Sequence, residues 1–101
     1  MSRLASPQQT PALTVSAQNT FTSAIVDAAQ LEKVAISITS LSFLGTVTLQ
    51  RRLDNTNWRD VKTYTDSAEE TYEVDTRCDL RLGVKTGDYT SGSVELLLKK
   101  G

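Results

Sequence analysis

The chain has 101 residues, net charge −1 from 11 basic and 12 acidic side chains, no histidine and one cysteine. That length holds one domain with a modest core and leaves no room for a separate catalytic lobe. The missing histidine removes the commonest general base and transition-metal ligand. A lone cysteine excludes an intrachain disulfide and a four-ligand Cys/His zinc site. The even charge balance argues against nucleic acid as a partner, since phosphate neutralisation normally needs a basic excess. No window approaches the roughly 20 apolar residues of a membrane-spanning helix. Valine, isoleucine and threonine together supply 25 residues, which favours pleated, half-buried surface over helix.

Residues 1–11 are polar, carry Pro7 and Pro11, and read as an N-terminal arm or flexible tail. They lack the apolar stretch of a secretory signal, and with the single thiol this fits synthesis in a reducing cytoplasm. The remainder, 12–101, reads as one β-sandwich domain. Leu13, Val15 and Ala17 share one face of a first short strand. Gln18-Asn19 suits a turn, and Thr20 to Val26 gives a second strand around Phe21 and Ile25. Asp27 to Gln30 is a turn or a single helical turn.

Val34, Ile36 and Ile38 alternate with polar or small residues, the cleanest period of two in the chain. Ser40 to Gly45 is read as a link, and its Leu41, Phe43 and Leu44 break the alternation. These three fill the core or form an outward contact patch. The hairpin that follows, residues 46–61, turns at Asp54-Asn55-Thr56-Asn57 and resumes at Trp58. Arg51 shares parity with Val47, Leu49 and Leu53, so the strand leaves the core there or a bulge shifts its register. Asp66 to Glu70 reads as a solvated acidic loop, with a strand around Tyr72 and Val74 after it.

Cys78, Leu80, Leu82 and Val84 form an inward face, with Asp79 and Arg81 outward. Lys85 to Asp88 is a tight turn, Thr90 to Ser93 a further bend, and Val94, Leu96 and Leu98 a closing strand. Leu97 stands on that strand's outer face and suggests a subunit contact, with the strand itself offered at a sheet edge. The sum is an all-β, antiparallel sandwich or jelly-roll-like fold of seven to eight short strands.

Chemistry is sparse. Cys78 reads as an inert core thiol. Asp54 and Asp60 flank a turn without the cleft a carboxylate pair needs. Calcium among Asp54, Asn55 and Asn57 is weighed against ordinary turn chemistry and not adopted. No glycine-rich phosphate loop is present, so neither cofactor nor metal is expected. Trp58 and Tyr64 share parity and would line up as a sugar-stacking platform, the alternative being burial of both rings.

Residues 45–65, GTVTLQRRLDNTNWRDVKTYT, and 81–94, RLGVKTGDYTSGSV, resemble a module of small structural proteins of tailed bacteriophages. With Val15 to Thr22 the resemblance spans about four-fifths of the chain. Asn55 and Thr56 stand where that module carries two glycines, and Cys78-Asp79-Leu80 where an aromatic often precedes the arginine. The resemblance implies a non-enzymatic virion protein, made in the host bacterial cytoplasm, of head-decoration or head-fibre type. Its implied partners are itself, with a trimer suggested by the local three-fold axes of a capsid, and other virion proteins. No membrane is expected among them. Leu41, Phe43, Leu44 and Leu97 are the candidate contacts. A glycan-binding or immunoglobulin-like adhesion module using Trp58 and Tyr64 is the rival.

Overall fold

The computed structural model describes residues 12–54 and 56–100. The expected arm, residues 1–11, lies outside the described residues. Among those described, nine strands run β1 (Leu13–Val15), β2 (Thr20–Phe21), β3 (Ile25–Ala28), β4 (Lys33–Gly45), β5 (Val47–Arg52), β6 (Trp58–Tyr64), β7 (Ala68–Glu73), β8 (Cys78–Val84) and β9 (Tyr89–Lys100). The pairing is antiparallel throughout.

Sheet A has the order β1-β9-β4-β7, and sheet B the order β2-β8-β5-β6, with β3 also on β8. β2 and β3 lie on the same strand, opposite Thr20↔Val84 and Ile25↔Leu80 respectively. Counted as one interrupted strand, they leave the eight-strand order of a jelly roll. The interruption is at Thr22, whose amide donates to the Leu82 carbonyl and whose hydroxyl accepts from the Leu82 amide. The chain thus stays tied to β8 while leaving the regular ladder. This is why the strand total exceeds the expected seven or eight.

Both sheets turn their apolar parity inward. Val34, Ile36 and Ile38 of β4, Leu96 and Leu98 of β9, Val47 and Leu49 of β5, and Leu80, Leu82 and Val84 of β8 are all buried. These rows form one continuous core, as expected where period-two strands face each other across a sandwich.

Three local expectations are corrected. Ser40 to Gly45 is not a link but the second half of a 13-residue strand. Glu69 and Glu70 belong to β7 rather than to a loop. An edge strand with one wet face carries charge freely, so its composition mimics a loop. The third concerns β9, which was expected at an edge. It lies inside sheet A between β1 and β4, because the short N-terminal strand returns to cover it at Leu13↔Leu96.

Candidate binding surfaces

The end of β4 carries a built protrusion. The β4–β9 register slips between Leu41 and Leu44 and again before Gly45, and Ser42 adopts φ 60°. A non-glycine residue in that region is strained by about 1–3 kcal/mol and persists only where its surroundings fix it. Here they do. Phe43 points inward and is buried, its ring centroid 6.2 Å from that of Tyr89. Its amide donates to Ser40 Oγ at 3.2 Å, and the Tyr89 hydroxyl donates to the Gly92 carbonyl at 2.9 Å. Gly92, at φ +79°, runs so close to the Ser42 carbonyl that any Cβ there would overlap it.

Held this way, Leu41 and Leu44 are 49% and 60% exposed. Of the four candidate contacts, the structure therefore leaves Leu41 and Leu44 exposed and turns Phe43, between them in the chain, inward. Leu97 is half-buried on the outer face of sheet A, opposite Ser37. Ser37 is four positions from Leu41 along β4, roughly 13 Å at strand rise. Val26, Leu31 and Leu53 are also exposed, but each stands on a different part of the chain.

Around Trp58 the structure departs from simple parity. Leu49 pairs with Lys62 while Gln50 pairs with Asp60, so Val61 is an extra residue in β6. This bulge places Trp58 opposite Arg52 and Tyr64 opposite Val47, on opposite faces of sheet B. The expected two-residue stacking platform is not formed. Tyr64 is 8% exposed, and its hydroxyl donates to Glu70 Oε1 at 2.7 Å. That oxygen also accepts from Lys62 Nζ. Burial first, and then Glu70, push the Tyr64 phenol above its ordinary range.

Trp58 instead joins a stack on the outer face of sheet B. The guanidinium carbons of Arg52 and Arg81 lie 4.5 and 4.4 Å from its ring centroid, and Arg81 is also 3.9 Å from the Phe21 ring. The layers run Phe21, Arg81, Trp58, Arg52. Contacts of this kind contribute about 0.5–2 kcal/mol each. Polar bonds fix the order. Arg52 donates twice to Asp79 Oδ2, Arg81 Nε donates to Gln50 Oε1 at 2.8 Å, and Gln50 Nε2 donates to Asp60 Oδ1 at 2.9 Å. Lys85 closes the chain on Asp60 Oδ2 at 2.6 Å. The Gln50 amide, then Lys85, hold the Asp60 carboxyl below its ordinary value. Burial, then the like charge of Arg52, lower the Arg81 pKa.

Phe21 reaches this stack only because Gly83 lies beneath it. A Cβ at Gly83 would fall 2.6 Å from Phe21 Cα. A lone glycine inside an alternating strand, at an outward position, was the available sequence signal for such a close approach.

The residues weighed for catalysis are spoken for. Asp54 Oδ1 accepts the amides of Thr56 and Asn57 at 3.0 and 2.8 Å, and Oδ2 accepts Asn57 Nδ2. This is an Asx turn, which supplies the turn chemistry weighed against calcium; Asn55 lies outside the described residues. Cys78 is buried, and burial is the largest cause raising its thiol pKa. Among the described residues no three His, Cys, Asp or Glu side chains are grouped to hold a metal ion.

Among the described residues nothing covers the outer face of sheet A, where Ala35, Thr39, Glu95 and Lys99 are exposed. A trough of about 330 Å³ lies on it, with Ala35, Ser37, Glu69, Thr71, Leu97 and Lys99 among its lining residues. Comparison with protein-family models, with curated proteins and with solved structures finds no match.

Proposed function

We propose that this chain is a non-enzymatic bacteriophage virion structural protein, of capsid-decoration or head-fibre type, that associates with itself and docks on the head. The observation that carries this reading is the pair of exposed leucines, Leu41 and Leu44, on a bulge fixed by Phe43, Tyr89 and Gly92. Apolar side chains on a rigid, strained support suit docking, because little order remains to be imposed when a partner binds. The resemblance of residues 45–65 and 81–94 to tailed-phage structural modules gives the partner its identity. The jelly-roll order adds fold-level analogy only, since viral capsid and lectin domains both use it.

A glycan-binding or adhesion role has less support. The Tyr64 ring is buried, and the Trp58 ring is already stacked with two guanidinium groups. Titration with host surface polysaccharide is expected to leave Trp58 fluorescence unchanged. The main reading is tested by electron microscopy of intact particles labelled with antibody to this chain. Regular label on the heads is expected, and particles that lack the chain would overturn the proposal.

A further inference from the structure

The outward side chains of β9, read along the strand, are Glu95, Leu97 and Lys99: acid, apolar, base at equal spacing. Glu95 and Lys99 are exposed and Leu97 is half-buried. No ion pair within the described residues engages either charge. On the neighbouring strand they face Thr39, Ser37 and Ala35 respectively, all small enough to let a second surface approach. The trough described above reaches Leu97 and Lys99 of this row.

Such a row complements itself when reversed. Take a two-fold axis parallel to the sheet and perpendicular to the strands, about 5 Å above the Ser37–Leu97 pair, midway between the two packed sheets. It lays Leu97 of one copy over Leu97 of the other, and Glu95 of each over Lys99 of the other. Residues two apart on a strand are about 7 Å apart, and packed sheets stand roughly 10 Å apart with strands nearly aligned. That separation lets one acidic and one basic side chain meet from opposite sides. The geometry points to a two-fold dimer of this chain through the outer face of sheet A, centred on Leu97 and flanked by two Glu95–Lys99 pairs. An isologous contact of this type is the commonest route to a closed oligomer. It refines the self-association in the proposed function and rests on that reading for its biological use, but not for its chemistry.

The same axis brings Glu69 of the two copies near each other at the β7 edge. Glu69 is exposed there, and an edge carboxylate can turn to water at small cost. The central contact replaces the wet surface of Leu97 by apolar packing, which is the favourable change. The outer pairs set register and exclude the parallel arrangement, in which like charges would meet.

Charge reversal tests this directly, because both reversed positions are outward-facing and leave the core intact. Sedimentation velocity would compare the wild type with Glu95→Lys, Lys99→Glu and the double variant. Each single reversal puts like charges opposite and is expected to weaken the dimer by about 10-fold or more; the double reversal restores the pairing and is expected to recover wild-type affinity within about 3-fold. Leu97→Asp is expected to give monomer, with its thermal midpoint confirming a folded chain. A monomeric wild type, a trimer, or a double variant no better than the singles would overturn the inference. A dimer that fails to bind heads would sink the proposed function and leave the dimer standing; a monomer that binds heads would do the reverse.

Discussion

Asp54 holds the β5–β6 turn through three donors, the amides of Asn57 and Thr56 and the Asn57 side chain. These bonds pull its carboxyl down to about 2 from the ordinary 3.8, the Asn57 amide contributing most. A carboxyl depressed in the folded state stabilises it fully above the unfolded value and loses that contribution as pH falls through the folded one. The urea midpoint is therefore expected to fall between about pH 4 and pH 2. Asp54→Ala should start lower at neutral pH and change less across that window. Asp60 and Glu70 are depressed as well, so some acid sensitivity should survive in the variant. A pH profile identical to wild type would remove the turn from this account. Cys78 gives a second residue-level check. Buried and with its thiol pKa raised, it should react with a thiol reagent at least ~100-fold more slowly in the native than in the unfolded protein. Rapid native labelling would contradict its placement in the core.

At the level of strands, Gly83 decides whether β2 can lie on β8. Adding a methyl group there pushes against Phe21 and the Thr20 carbonyl. Gly83→Ala is expected to destabilise by about 1–3 kcal/mol, with loss of amide protection in Thr20 to Thr22 and a change in the Trp58 near-ultraviolet signal. Unchanged protection would show that Phe21 does not depend on this approach. The strands around Ile36, Leu49 and Leu82 were readable from alternation, because each faces the core on one side and polar surroundings on the other. The bulge at Val61 was not, since an extra residue reverses the parity of everything beyond it without altering composition. That single residue separated Trp58 from Tyr64. Phe43 and its neighbours were ambiguous for the same reason: a bulge with Ser42 at positive φ sends adjacent apolar residues to opposite sides. The outward placement of Leu97 was readable from local alternation. The interior placement of its strand was not, because that depends on β1 pairing from the far end of the chain.

For the whole molecule, the jelly-roll order places two different outer faces back to back across one core. Sheet B carries the braced stack of Phe21, Arg81, Trp58 and Arg52, tied down by Gln50, Asp60 and Asp79. The outer face of sheet A carries small residues, Leu97, and Glu95 and Lys99, which make no ion pair among the described residues, and it ends in the Leu41–Leu44 protrusion. The two faces differ in kind: one is braced by stacked rings and guanidinium groups, the other exposes small residues and charge. The most direct test of the central claim is co-sedimentation of the purified protein with empty phage heads, comparing wild type with the Leu41→Ser/Leu44→Ser double variant. We expect the wild type to bind and the variant, with an unchanged thermal midpoint, to bind at least ~10-fold more weakly, as for loss of an apolar contact at an interface centre. Equal binding by both, or none by the wild type, would contradict the account.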